Sequence, residues 1–235
     1  MKPLGRKNYG SIPHLLDSKL GHHDKYIHKG QNDILTKKSR DKNDHIIVTE
    51  KYDGSNVGIA RMNGKLVCLT RSGYLASSSP YEQHHMFKEW VDKERCRFQF
   101  LEEGERIVGE WLAQVHSLEY QLLHPFVSFD IFNPNNKRTS HGELVTRTTK
   151  TDVLTPRIIL QGESSFPIEE SLKILNIRTH YHSVICKEQP EGMVYRVERK
   201  GEFDFMAKWV RDDFEAGRYC IGIEKENLKW NYHNT

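Results

Sequence analysis

Two lysines, an arginine and three carboxylates hold the chemistry available to this chain. Lys51 stands in Glu50-Lys51-Tyr52-Asp53-Gly54, directly after the apolar run Ile46-Ile47-Val48. The run reads as a short buried strand, and Asp-Gly is a turn signal. Lys51 is thus placed where a strand gives way to a turn, held rigidly while facing a cleft. An amine there becomes a nucleophile once something lowers its pKa from ~10.4 toward neutrality. Lys208 sits inside the strand-like run from Phe203 to Val210, and Arg71 follows the run from Leu66 to Thr70. Glu110, Asp130 and Glu191 lie in or beside apolar runs, where a carboxylate is costly to bury unless it meets a cation or a donor. Cations that cradle phosphates, with carboxylates that hold hydrated Mg²⁺, make a kit for phosphoryl or nucleotidyl transfer. The chain has no Gly-x-x-x-x-Gly-Lys-Ser/Thr loop and no Gly-x-Gly-x-x-Gly, so P-loop and Rossmann readings fall away.

The elements that must position these groups are mostly strands. Val57 to Arg61 and Leu66 to Thr70 flank Asn63-Gly64, a strong hairpin signal. Ser79-Pro80-Tyr81-Glu82 reads as a capping box with proline at the first helical position. Met86, Phe87, Trp90 and Val91 follow at helical spacing and should face the core. His84 and His85 point about 100° apart in that helix, which excludes a paired-histidine metal site, so they read as surface or partly packed. Further strands are expected at Arg106 to Leu112, Pro125 to Phe132, Arg157 to Leu160 and Met193 to Glu198, with a helix from Pro167 to Leu175. Alternation in the last strand puts Phe203, Phe205, Ala207 and Trp209 on one face, and Asp204, Met206, Lys208 and Val210 on the other. A short helix is expected from Arg211 to Phe214. Residues 1–45 read as polar and turn-rich, and residues 135–190 as structural filling. The pattern is α+β, with mostly antiparallel sheets.

Composition sets the outer bounds. The 235 residues suffice for a sizeable core, 37% are hydrophobic, and the formal charge of +3 permits an anionic partner without demanding one. No apolar run approaches the ~20 residues of a membrane span, and the first residues lack a secretory signal's apolar core. Cys68, Cys96, Cys186 and Cys220 form no Cys-x-x-Cys pair, which argues against zinc and for reduced thiols in a cytoplasmic protein.

The ordered set of short words resembles the covalent nucleotidyltransferases: ATP-dependent DNA ligases, RNA ligases and mRNA capping enzymes. Lys51-Tyr52-Asp53-Gly54 resembles the nucleophile motif, and Arg71-Ser72-Gly73 the arginine motif that follows it. Gly109-Glu110, Phe129-Asp130, Glu191-Gly192-Met193-Val194 and Ala207-Lys208-Trp209 resemble the later motifs in their order. Tyr9, Pro13-His14-Leu15, Trp111-Leu112, His116-Ser117, Tyr120 and Val210-Arg211…Phe214 bring the resemblance closest to small RNA ligases. It runs from about Tyr9 to Phe214.

That resemblance implies a nucleotidyltransferase domain spanning residues 1–235, with antiparallel sheets flanking an ATP cleft and no C-terminal oligonucleotide-binding domain. It implies that Lys51 attacks the ATP α-phosphate to form a lysyl-AMP. AMP then passes to an RNA 5′-phosphate, and an RNA 3′-hydroxyl displaces it. Glu50 would read the nucleobase through its backbone and Phe129 would stack on it. Arg71 would contact ribose or phosphate, and Lys208 the α-phosphate. Glu110 and Glu191 would serve ribose and a Mg²⁺ or Mn²⁺ ion, with Asp130 a further metal candidate. Asp53 belongs to the ATP-binding set. Val210 stands where many relatives carry a second lysine, so Arg211, one place later, joins that set as the replacement cation. The implied partners are ATP, RNA with 5′-phosphate and 3′-hydroxyl ends, and a protein that presents or heals the RNA; no membrane is implied. A minimal DNA ligase, an RNA-capping guanylyltransferase and a non-catalytic nucleotide- or RNA-binding relic are the alternatives. Lys37, Lys38, Arg40 and Lys42, with Arg196, Arg199 and Lys200, are candidate RNA contacts or ordinary solvated charge.

Overall fold

A helix absent from the sequence reading, α1 (Lys29–Thr36), leads into the first strand, β1 (Asp44–Lys51). It lies in the computed structural model, which describes residues 2–177 and 184–233. A hairpin follows, β2 (Ser55–Met62) and β3 (Lys65–Thr70), turned at Asn63-Gly64 with both residues at positive φ, as the sequence signal requires. Next come α2 (Glu82–Lys93), β4 (Arg106–Trp111), β5 (Tyr120–Leu122) and β6 (Phe126–Phe132). After α3 (His141–Thr149), β7 (Ile158–Gly162) and α4 (Ile168–Leu175), the strands β8 (Val184–Cys186), β9 (Gly192–Arg199) and β10 (Glu202–Val210) complete the fold. This is an α+β architecture with antiparallel strand pairs throughout its sheets.

Two four-stranded sheets face each other. One has the order β10-β9-β1-β7, the other β3-β2-β4-β6, and β5 and β8 pair apart from both. Alternation assigns their faces. In the first sheet Ile46, Val48, Met193, Tyr195 and Val197 pack outward with Leu35 of α1 and Leu175 of α4. Ile47, Thr49, Lys51, Val194 and Arg196 consequently point inward and line the cleft. In the second sheet Val57, Ile59, Ile107 and Trp111 pack outward with Phe87 and Trp90 of α2. Trp111 is fully buried, with ring centroids 5.3 Å from Phe87 and 5.6 Å from Trp90. Trp111→Ala should therefore cost about 3–5 kcal/mol of stability, read from the denaturant midpoint at unchanged slope.

Two bulges change the faces that strict alternation predicts. In β6 the pairing with β4 jumps from Asp130 to Ser128, leaving Phe129 as the extra residue. Phe129 and Asp130, neighbours in sequence, therefore both line the cleft. In β10 the pairing with β9 jumps from Phe203 to Phe205 past Asp204. Phe203 thus shares the face of Glu198 and lies against Arg138 and Arg196, instead of packing with Phe205, Ala207 and Trp209. Asp204 at the bulge meets Arg40.

Other expectations are also corrected. α2 begins at Glu82 with Tyr81 as its cap, two residues later than expected. Ser79 is drawn away, accepting from the Tyr81 N–H and bonding His84 Nδ1 at 2.6 Å. His84 is buried between Ser79 and Ser55, so it is packed. Arg211 to Phe214 form a turn in place of a helix, closed by the Phe214 N–H on the Arg211 carbonyl. α3 had a legible start, because Ser140 accepts from the Glu143 N–H across the Ser-x-x-Glu spacing. Of the 135–190 stretch, residues 178–183 lie outside the described residues. Among the described residues, no helix is long and apolar enough to cross a membrane.

Candidate active site

Lys51 ends β1 at the mouth of the cleft, where the strand stops before the Asp53-Gly54 turn. Its Nζ donates to Glu191 Oε2 at 2.5 Å. Glu191 directly precedes β9, and the antiparallel register places Gly192 opposite Lys51. A β-carbon at Gly192 would stand 1.9 Å from the Trp209 carbonyl, so only glycine lets β9 and β10 close up beside the lysine. Glu110 comes from β4 on the opposing sheet, and its Oε1 accepts the Gly54 N–H at 3.2 Å. The three groups thus converge from strands that share no local sequence.

Burial dominates their electrostatics. It pushes both the Glu110 and Glu191 carboxyls up to about 7, against the pull of Lys51. Burial alone would discharge Lys51, but Glu191 and Glu110 outweigh it and raise the pKa of the amine. Lys51 is therefore held as an ammonium by its carboxylate neighbours in the protein alone.

Lys208 points into the same cleft from β10, in the row of Thr49 and Val194. Burial, then the nearby Lys51 cation, lower its pKa. A chain of polar contacts opposes this. Lys208 Nζ lies 3.5 Å from Asp24 Oδ2. Asp24 Oδ2 is 2.8 Å from His14 Nε2, and His14 Nδ1 is 2.7 Å from Ser18 Oγ. The segment is anchored to β10 by Leu15 N–H to the Lys208 carbonyl, Lys208 N–H to the Pro13 carbonyl, and Val210 N–H to Ser18 Oγ. Asp24 is a site residue that the sequence reading missed. Its signal was a lone carboxylate in a histidine-rich polar stretch, with nothing local to tie it to Lys208.

The remaining expected residues divide. Arg71 lines the cleft from the end of β3, exposed, with Nη2 donating to Ser11 Oγ at 3.1 Å. Phe129 lines it beside Tyr9, ring centroids 5.1 Å apart. Glu50 sends its carboxylate to within 3.1 Å of Arg157 Nε, and burial pushes that carboxyl up to about 7. Asp53 supports the turn: its Oδ2 accepts the Ser117 N–H and its N–H donates to Tyr120 Oη. Arg211 is held by the Pro190 carbonyl and Asp213, outside the cleft lining. Asp130, a metal candidate by sequence, has both oxygens engaged: Oδ1 by Arg196, and Oδ2 by Arg138 and the Tyr9 hydroxyl. It braces the inner end of the cleft and has no free oxygen edge for a cation.

The basic candidates for RNA contact are largely committed as well. Arg196 is buried between Asp130 and Glu198, while Arg199 bonds Asp41 and Asp44. Arg40 bonds Asp44 and Asp204, and Lys37 meets Asp33.

Facing antiparallel sheets, with a strand-end lysine between carboxylates in the cleft, define a protein of the nucleotidyltransferase fold. The family model for RNA ligase matches residues 44–210, and the chain belongs to that family. Solved structures agree in fold. The Naegleria gruberi RNA ligase, as a mutant with AMP and Mn, aligns at 15% identity and TM-score 0.53 over 88% of this chain and 61% of that one. A mutant without ligand aligns at 16% identity and TM-score 0.52 over 84% and 58%. A complex with PPi aligns at 17% identity and TM-score 0.51 over 73% and 50%. The chain therefore spans between half and about three-fifths of the length of these structures. A comparison with curated proteins finds no sequence match.

Proposed function

We propose that this protein is an ATP-dependent RNA ligase that joins RNA 3′-hydroxyl and 5′-phosphate ends. The observation that carries this reading is the convergence of Lys51, Glu191, Glu110 and Lys208 in one buried cleft, with Phe129 on its wall.

Lys51 Nζ attacks the ATP α-phosphorus, the N–P bond forms, the bond to the β-phosphate oxygen breaks, and pyrophosphate leaves. The amine must shed a proton first. Glu191, 2.5 Å away with its pKa pushed up to about 7, is placed to accept it. Lys208 and Arg71 face the same space and offset charge building on the phosphates, the first at the α-phosphate. Arg71 also takes the second cation role, since Arg211 lies outside the lining. In the second step an RNA 5′-phosphate oxygen attacks the AMP phosphorus and Lys51 is released. In the third, the RNA 3′-hydroxyl attacks the adenylated 5′-phosphate and AMP leaves. Phe129 stacks on the base, Glu50 contributes its backbone, and Asp53 holds the turn that fixes Lys51.

Glu110 and Glu191 fit a hydrated Mg²⁺ or Mn²⁺ ion. Glu191 is buried and Glu110 half-buried, and no described cluster of three His, Cys, Asp or Glu residues could hold an ion by itself. Two carboxylates completed by water and phosphate oxygens are what such an ion takes beside a nucleotide. When bound, the ion neutralises phosphate charge. Asp130 is left out of this set. The Naegleria gruberi RNA ligase structures carry Mn together with ATP or AMP, which supports a divalent ion beside the nucleotide here.

The reading is tested by sealing of a nicked RNA duplex and of single-stranded RNA ends, with ATP and GTP, and with DNA ends in parallel. ATP-dependent joining of RNA ends is expected. Joining of DNA ends alone, or transfer of GMP to an RNA 5′-diphosphate, would overturn it.

Two further outcomes are expected. With limiting Mn²⁺, self-adenylylation should rise with pH through about 7, as Glu110 and Glu191 ionise. Saturating Mn²⁺ should move that limb to lower pH, because a cation favours the ionised carboxylate. Asp24→Asn should slow self-adenylylation about tenfold, ~1.4 kcal/mol of barrier. It should also bring the alkaline limb to lower pH, since Asp24, with Glu191, opposes the lowering of the Lys208 pKa by burial. A pH–rate profile of the variant reads both.

A further inference from the structure

We infer that His141 reads the edge of the nucleobase and sets the nucleotide preference of the cleft. The inference rests on the proposed binding of a nucleotide there. His141 opens α3 and lines the cleft, yet it is only 7% exposed. Its backbone N–H donates to Glu198 Oε1 at 2.6 Å, which fixes the residue in place. Its Nε2 is buried and has no hydrogen-bond partner. Buried polar atoms in native proteins are nearly always paired, so an orphan facing a cavity points to a group that arrives with a ligand.

The strand register shows which part of the ligand arrives. Lys51 pairs with Gly192 at the mouth. The next inward-facing row is Thr49, Val194 and Lys208, and the row beyond is Ile47, Arg196 and Met206. Glu198, which holds His141, stands one row further, opposite His45. With the α-phosphate at Lys51 and Lys208, the nucleoside extends inward along these rows, its base passing the Glu50 backbone beside Lys51 and turning its far edge to the inner end. The aromatic wall, Tyr9 and Phe129, lies along that path.

At the inner end Thr139 Oγ1 is also buried without a partner, but Thr139 lies outside the cleft lining, and the charged groups there are committed. Arg196 donates to Asp130, Glu198 and the Thr139 carbonyl. Asp130 is filled by Arg196, Arg138 and Tyr9. Asn56 Oδ1 is also unpartnered, but Asn56 faces Glu110 on the opposing sheet, near the mouth. Burial and then the Arg196 cation lower the His141 pKa, so the ring is neutral near pH 7. A neutral ring nitrogen held in one tautomer is either a donor or an acceptor. Adenine presents an amino donor at C6 and an acceptor at N1; guanine presents the reverse. One fixed nitrogen at that edge therefore separates the two.

The test is the initial rate of covalent labelling by α-labelled ATP and by α-labelled GTP, for wild type, His141→Leu and His141→Gln. Wild type is expected to favour ATP at least tenfold. His141→Leu is expected to raise KM for ATP about tenfold, the worth of one lost hydrogen bond, with little change for GTP. The preference should collapse, and His141→Gln, which keeps a bonding group, should retain part of it. A folded His141→Leu protein with the wild-type ATP to GTP ratio would overturn the inference, as would a wild type that labels equally with both. Should His141→Leu fail to fold, an unchanged ratio in His141→Gln and His141→Asn overturns it. Absence of label on wild type with either nucleotide would instead remove the proposed function, and this inference with it.

Discussion

Lys51→Ala is expected to abolish ATP-dependent joining of RNA ends, with a loss of about 10³-fold or more, because no other group can form the first covalent bond. Lys51 ends β1 with its amine against Glu191 and its turn braced by Asp53, and no second lysine of the cleft occupies that place. Lys51→Arg should be equally inactive. A guanidinium keeps its proton at any workable pH and is no nucleophile. The informative control is RNA supplied already adenylated at its 5′ end. It bypasses the lysine, so the Lys51→Ala protein should still seal it. A general loss of folding would remove both activities, whereas loss of the nucleophile removes only the first. If Lys51→Ala joined unmodified RNA ends with ATP at the wild-type rate, a covalent lysine intermediate would be excluded.

Lys208→Met is the second large effect expected. Methionine keeps an unbranched side chain, one atom shorter, and most of the volume on β10, and removes the charge. The ammonium offsets charge on the α-phosphate in a buried cleft, and removing one such donor costs about 10²–10³ in rate. A further signature separates this role from simple packing. Lys208 is one of the cations that disfavour the charged form of Lys51, so without it Lys51 should hold its proton to higher pH. The residual activity of Lys208→Met should therefore peak at higher pH than wild type. Lys208→Arg should recover part of the rate and restore the pH optimum. A loss under tenfold, or an unshifted profile, would place the α-phosphate cation elsewhere, with Arg71 the next candidate in the cleft.

The strands and the residues on them were legible because their signals are local. The apolar run Ile46-Ile47-Val48 marked β1, period-two alternation identified most of β10, and Asn63-Gly64 marked the β2–β3 hairpin. The motif lysines and the carboxylates Glu110 and Glu191 could be found because each stands in or beside an apolar run, where a charge needs a reason. What was lost depends on long-range register. Phe129 and Asp130 share the cleft only through a bulge, which is a property of the β4–β6 pairing. Phe203 changes face for the same reason in β10. Asp130 looked like Glu110 in sequence, and it differs only because Arg138 and Arg196 reach it from elsewhere. Asp24 and His14 come from a stretch with no apolar period, and their partner Lys208 lies far along the chain. α1 escaped because its buried side is narrow, with Leu35 as its fully buried apolar residue.

The central claim, that Lys51 becomes covalently bonded to AMP, is tested most directly by incubating the protein with α-³²P-labelled ATP and Mn²⁺ or Mg²⁺ and mapping the label. One label per chain is expected, on the peptide containing Lys51, acid-labile as a phosphoramide should be, and absent from Lys51→Ala. Folded wild-type protein that takes no label from ATP or GTP, or a label that persists in Lys51→Ala, would contradict it.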